Sequence, residues 1–350
     1  WSSDLCASDL STPGALAHRV LMEGSRATGV EFSQGGLVRV ARAQREVILA
    51  ASSINSPKLL HLSGIGDPLR LKQLGIEVHH SLPGVGENLQ DHPEVHIHWQ
   101  CKQPVTLNRH MNLLSKGLIG LQWLLFRKGL GATNHFEACA FIRHKAGVSY
   151  PNIEYHFLPG AIQYDGKSTA SGHGFQVLCA VSRPRSRGYV RTRSADPRVA
   201  PAILYNFMDD EQDSEEMRAG IRLIREVMSM PAMQPFAGEE IRPGRQVQSD
   251  EEIDAYIRDK TESAYHPCGT CRMGSPSDSM AVVDPHCRVI GLEGLRVIDS
   301  SIIPLLTMGN INAPSLLIGE TGADHLLGRT PLAPSNDEPA YHPHWQTAQR

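Results

Sequence analysis

From Pro93 to Gln100 apolar and polar residues alternate: Val95, Ile97 and Trp99 fall on one side, Glu94, His96 and His98 on the other. A period of two predicts a half-buried strand with those sets on opposite faces. Shorter apolar runs bounded by Gly, Pro and Asn predict further strands at 137–143, 152–158, 175–181, 188–192 and 202–206, which together read as an antiparallel sheet. Upstream, 17–24 and 27–32 predict a hairpin turning at Gly24-Ser25, with a third strand at 37–40 after Gly35-Gly36. A buried strand is expected over 45–51, running into Ser52-Ser53. Ser56-Pro57 then predicts a helix start, followed by a helix at 68–74 and a strand at 77–80. Helical spacing of Met217, Ile221, Ile224 and Val227 predicts a long helix over 212–230, and Ser249 with Glu252 predicts a capped helix over 250–260. Short strands are expected at 282–284, 287–289 and 295–299, and a helix from Asn312-Ala313-Pro314.

The most apolar stretch, Leu113 to Leu130, is interrupted by Lys116 and Gln122. It predicts an amphipathic helix packed on the core, with peripheral membrane contact as the alternative. No uninterrupted apolar run reaches the roughly 18 residues a spanning helix needs. The 350 residues are 41% hydrophobic and 20% charged, enough for one large or two medium domains, and a net charge of −3 gives no reason to expect nucleic acid. Arginines between Arg183 and Arg193 read as a solvated hairpin face. Residues from Gly328 onward are Pro- and Asn-rich and predict a surface tail. The opening WSSDLCASDL carries no basic and apolar leader pattern, and seven cysteines without regular spacing suggest reduced thiols in a cytosol-like compartment.

The chemistry concentrates in Ser263 to Gly274, SAYHPCGTCRMG. His266, Cys268 and Cys271 have a spacing that a zinc ion could use. Alternatively, His266 in a Tyr-His-Pro turn is a group that takes a proton from an alcohol near neutral pH, with Asn312 donating a hydrogen bond to the same oxygen. A strand that turns through small residues into a helix, as at Ser52-Ser53, is a nucleotide-type crossover. Ser63-Gly64-Ile65-Gly66 supplies only a G-x-G, and no complete G-x-G-x-x-G occurs.

Five ordered blocks carry a resemblance: SSINSPKLLHLSGIG (Ser52 to Gly66), LPGVGENLQDH, YHPCGTCRMG, GLRVIDSSIIP and GNINAPSLLIGE. They resemble the glucose–methanol–choline (GMC) flavoprotein oxidoreductases, and within them the choline-oxidising group. The resemblance implies a mixed α+β and α/β fold: a Rossmann-like FAD-binding domain, incomplete because its N-terminal βαβ motif is missing from this sequence, and a substrate domain built on an antiparallel sheet flanked by helices. It divides the chain into a partial FAD-binding domain at 1–92, a substrate-binding domain at 93–262, a return carrying the catalytic pair at 263–327, and a tail at 328–350.

The same resemblance implies His266 as catalytic base facing the flavin, with Asn312 as its partner. Asn88, His92, Asp299, Ser300, Asn312, Ala313 and Pro314 would line the FAD. Glu94 would face a trimethylammonium group, with Phe136 and Tyr265 as candidate rings and Glu137 and His156 as further polar positions. A carboxylate with aromatic rings suits a quaternary ammonium, which offers charge but no hydrogen-bond donor. The implied reaction is FAD-dependent oxidation of choline to betaine aldehyde, with another primary alcohol as the alternative substrate. A quinone-type acceptor, or oxygen, would take the electrons, in the cytoplasm or at the inner face of a membrane (mitochondrial, in a eukaryote). The rival of another class is a non-catalytic zinc-binding or scaffold protein built on the HPCGTC stretch.

Overall fold

A computed structural model describes residues 11–136, 138–162, 170, 172–330, 332–333, 335–338, 340–341 and 343–349. In chain order the strands and helices are β1 (Leu16–Glu23), β2 (Arg26–Gln34), β3 (Leu37–Arg42), β4 (Val47–Leu49), α1 (Ser52–Leu62), β5 (Ile65–Gly66), α2 (Pro68–Gln73), β6 (His80–Ser81), β7 (Pro93–Cys101), α3 (Leu113–Phe126), β8 (Ala138–Ile142), β9 (Ile153–Leu158), β10 (Gly174–Val181), β11 (Tyr189–Arg191), β12 (Ala202–Leu204), α4 (Glu211–Ser229), β13 (Ala237–Arg242), α5 (Asp250–Lys260), β14 (Glu262–Ser263), β15 (Leu295–Val297) and α6 (Asn312–Leu327). They fall into two compact units. One comprises Trp1–Asp91, Arg187–Asn206 and His266–Ser335; the other comprises His92–Ser186, Phe207–Tyr265 and Asn336–Arg350.

In the first unit, β1, β2 and β3 form the expected antiparallel sheet, and β4 pairs in parallel with β15. Val20, Leu49, Leu60, Ile65, Val283 and Val297 share its core. Helix α1 begins at Ser52, four residues ahead of the predicted start (56 − 52), so Pro57 lies inside it. A proline there cannot donate to the carbonyl of Ser53. Thr270 Oγ1 donates to that carbonyl instead, at 2.7 Å, which restores a hydrogen bond of about 1 kcal/mol. The strand expected at 77–80 shrinks to β6, paired in parallel with β5, and the segments around Val283 and Val289 form only isolated bridges. β11 and β12 make a hairpin within this unit, so residues 187–206 do not group with the rest of 93–262. Its arginines are partly engaged: Arg191 Nε donates to Glu87 Oε1 at 3.0 Å.

The second unit is built on a sheet in the order β13-β7-β10-β9-β8, with β14 also beside β7. Val95, Ile97, Ile153, Val177 and Cys179 pack against Met217, Ile221 and Ile224 of α4 and Ile253 and Ile257 of α5. Ser249 and Glu252 form the expected capping box at the start of α5. β13 was not legible, because AGEEIR has no apolar alternation; Arg225 Nη2 holds it through Glu240 Oε1 at 2.8 Å. Two expectations need correction. β7 is not half-buried: Glu94 and His98 on its polar face are 2% and 1% exposed. Helix α3 is not packed on the core, since none of its residues is buried. Within the predicted tail, Trp345 accepts a backbone hydrogen bond from Gly147 at 2.8 Å and one from Arg143 Nη1 at 2.9 Å.

Candidate active site

His266 sits on a turn pinned from several sides in the first unit. Its own backbone N–H donates to Asp91 Oδ1 at 2.9 Å. Cys268 exchanges backbone hydrogen bonds with Gln90 at 2.9 and 3.0 Å. The Pro267 carbonyl accepts from Ser53 Oγ at 2.8 Å and from Ser300 Oγ at 3.2 Å. Tyr265, with φ +62°, and Gly269, with φ +88°, bend the chain on either side. A Cβ at Gly269 would lie 2.7 Å from the Asn88 carbonyl oxygen, so only glycine fits this closure.

Asn310 Nδ2 lies 3.0 Å from His266 Nε2. An amide nitrogen only donates, so this contact leaves a lone pair on Nε2, the form that can accept a proton. The structure therefore brings Asn310, not Asn312, to the imidazole. Asn312 is the first residue of α6 and is exposed. The two asparagines are separated by one residue in Asn310-Ile311-Asn312, and the helix start drew attention to the wrong one.

The expected cofactor residues fall into two sorts. Asp299 is consumed internally: Oδ2 accepts from Ser52 N at 3.0 Å and Ser56 Oγ at 2.5 Å, and Oδ1 accepts from Ser301 N at 2.9 Å. Ser300 Oγ lies 2.8 Å from Ser53 Oγ, and Asn88 Nδ2 donates to Gly269 O at 3.1 Å. These side chains are tied up in hydrogen bonds within the first unit. Asn312, Ala313 and Pro314 form the first turn of α6, which has no side-chain cap, with Asn312 and Ala313 exposed. His92 belongs to the second unit, where its Nε2 donates to the Ser182 carbonyl at 2.9 Å.

In the second unit, β10 sets Ala180 opposite Glu94 of β7 and Glu154 of β9, and Leu178 opposite His96 and His156. Four polar side chains therefore share one face of the sheet. Glu94 Oε1 is 3.1 Å from His96 Nε2, and Phe136 meets the His156 ring edge-on at 6.1 Å between centroids. Burial drives the His98 pKa down to about 3, with His96 and Arg242 adding smaller contributions. Tyr265 is 68% exposed. Glu137 lies outside the described residues. Sequence reasoning missed Asn310, Asp91's hold on the turn, and Glu154.

The thiols of the zinc reading diverge. Cys268 packs with Ile303, Leu306 and Ile311, whereas Cys271 lies in the main core with Leu60 and Val282. Burial pushes Cys268 up to about 12, with Asp91 adding to it, and raises Cys271 as well, so both stay protonated thiols. Among the described residues no three His, Cys, Asp or Glu side chains are grouped to hold a metal.

Two family models, both described as GMC oxidoreductase, match residues 8–94 and 184–319. The chain belongs to the GMC oxidoreductase family. The oxygen-dependent choline dehydrogenase of Brucella canis is 57% identical over 334 residues, which is 95% of this GMC chain and 61% of that protein. That of Photobacterium profundum is 52% identical over 337 residues, 96% of the chain and 59% of the relative. The chain thus spans about three fifths of the length of these curated relatives. Among solved structures, an Aspergillus oryzae formate oxidase studied for its FAD modification superposes with a TM-score of 0.85 at 27% identity, covering 91% of this chain and 60% of that one. Pyridoxine 4-oxidase from Mesorbium loti gives 0.78 at 27% identity, with 90% and 58% covered. The fold is therefore the GMC fold that the five sequence blocks imply. The two matched regions contain Asn88, His92, Glu94, His266, Asp299, Ser300, Asn310 and the start of α6; Phe136, Glu154 and His156 lie outside them.

Proposed function

We propose that this GMC chain works in an FAD-dependent enzyme that oxidises choline to betaine aldehyde. The observation that carries the reading is His266, held through its backbone by Asp91 and presenting an Nε2 lone pair beside Asn310. Asn88, Asp299 and Ser300 shape a wall of the cofactor site, and the uncapped first turn of α6 offers N–H groups to an electron-rich ring edge. FAD, when bound there, supplies the hydride acceptor. His266 Nε2 takes the hydroxyl proton of the substrate, whose oxygen replaces the imidazole as the acceptor of the Asn310 amide. Glu94, with Phe136 and Tyr265, holds the trimethylammonium group by charge and ring contact, and His156 supplies a further polar contact.

The complete enzyme, assayed with choline and a dye acceptor, tests this. Glu94→Gln is expected to raise the KM for choline about tenfold, the order set by one partly desolvated charge contact. It should leave 3,3-dimethylbutan-1-ol, the uncharged isostere, unchanged. Equal effects on both alcohols, or preference for simple primary alcohols in the unmutated enzyme, would remove choline as the substrate.

We further propose that α3 rests on an anionic bilayer surface, placing the enzyme beside a quinone-type acceptor. Leu113, Leu114, Leu118, Leu124, Leu125 and Phe126 are all exposed. From Val95 to Phe136 there is no Asp or Glu, while Lys102, Arg109, Lys116, Arg127 and Lys128 are cationic. No helix among the described residues is long and apolar enough to cross a membrane. Sedimentation with vesicles containing phosphatidylglycerol is expected to recover the protein at low salt, and Leu114→Glu with Leu118→Glu to abolish this. Equal recovery of the double variant would exclude the contact.

A further inference from the structure

Glu154 is the most buried charged group that the reading above leaves without a task. It is 0% exposed, and neither carboxylate oxygen accepts a hydrogen bond among the described residues. His156 Nε2 comes within 3.1 Å of Oε1, outside hydrogen-bond geometry. A buried carboxylate in this state is costly unless a positive charge is brought to it.

The register shows where that charge would sit. Glu94 and Glu154 occupy the same row of the sheet on either side of Ala180, and both point to the same face. Neighbouring strands are about 4.8 Å apart, so the backbones of β7 and β9 stand about 10 Å apart with the Ala180 methyl group between them. The next row sets Leu178 between His96 and His156, and Phe141 of β8 stands opposite Glu154. Two carboxylates, the Ala180 methyl and the Leu178 and Phe141 side chains match a cation whose surface is methyl groups.

We infer that Glu154 is a second carboxylate for the quaternary ammonium of the substrate, acting from the side opposite Glu94. The inference rests on the choline reading and adds a specificity-determining residue to it. A quaternary ammonium has no N–H, so it balances a carboxylate by charge alone and leaves its oxygens without donors, as Glu154 stands. Glu154 also lies beside His156, and a purely positioning role for that ring would act on every alcohol alike.

The test uses the complete flavoenzyme and tetramethylammonium, a probe that carries the cation and no reacting group. Glu154→Gln is expected to weaken tetramethylammonium binding, measured by calorimetry, about five- to tenfold, in the range of one desolvated charge contact. The choline KM should rise by the same factor, with kcat and the kinetics of 3,3-dimethylbutan-1-ol unchanged. Glu154→Asp keeps the charge and should retain most of the affinity, which controls for folding. Unchanged tetramethylammonium binding in Glu154→Gln overturns the inference, as does an equal loss on the neutral alcohol. If Glu94→Gln weakens the probe and Glu154→Gln does not, the choline reading survives and only this inference falls. An unmutated enzyme that ignores both choline and tetramethylammonium defeats the two together.

Discussion

His266→Ala is expected to lower the rate of flavin reduction by choline roughly 10²- to 10⁴-fold, the usual contribution of a positioned general base. The alanine removes the one group that the turn from Tyr265 to Gly269 is built to present. Folding should survive, because the anchors of that turn are backbone groups and other side chains: Asp91 accepts from the residue 266 N–H, and Ser53 and Ser300 donate to the Pro267 carbonyl. Anaerobic stopped-flow bleaching of the flavin reads the chemical step apart from the electron acceptor. Retention of a near-normal rate would refute the base assignment. Asn310→Ala should reproduce part of the loss, because its amide is the donor at Nε2, whereas Asn312→Ala should not act through His266.

The contrast between Asn310 and Asn312 shows what was legible in the sequence. Periodicity located β7, β9, β10, α4 and α5, because their apolar positions face one core and the period survives folding. Ordered motif blocks located the turn at His266, because its bends demand particular residues at fixed spacing. Neither signal resolves which of two asparagines two positions apart touches a ring, since that depends on where α6 begins in space. The polar face of β7 misled for a related reason. Alternation reports two faces, not which of them is wet, and Glu94 and His98 are buried as deeply as the core. Glu154 was invisible for the same cause: in Ile153-Glu154-Tyr155 it reads as a solvent-facing strand residue until β10 places it across Ala180 from Glu94. Pro57 marked a helix start by local rule, yet Thr270, more than two hundred residues on, frees it to sit inside α1.

Gly188→Ala is expected to destabilise the first unit by about 3 kcal/mol or more, at the upper end of what overpacking costs. A Cβ at Gly188 would lie 1.8 Å from the Leu204 carbonyl oxygen, 2.8 Å from the Leu204 carbonyl carbon and 2.9 Å from that of Tyr205. All three are backbone atoms, so no rotamer change relieves the collision and the β11–β12 hairpin itself must shift. Gly188 also exchanges two backbone hydrogen bonds with Leu89, at 2.9 and 3.0 Å. Leu89 lies between Asn88, which donates to Gly269, and Gln90, which pairs with Cys268; Asp91 beyond them holds His266. A shift at Gly188 therefore passes through one hydrogen-bonded loop to the turn that carries His266. Two readouts should move together: the denaturation midpoint falls, and at temperatures where the variant remains folded its flavin is reduced more slowly than in the unmutated enzyme. A large loss of stability with the reduction rate intact would show that the loop from Asn88 to Asp91 holds His266 without help from the hairpin. Unchanged stability would mean that the hairpin yields freely, and the close packing of Leu204 on Gly188 would then play no part in shaping the catalytic turn.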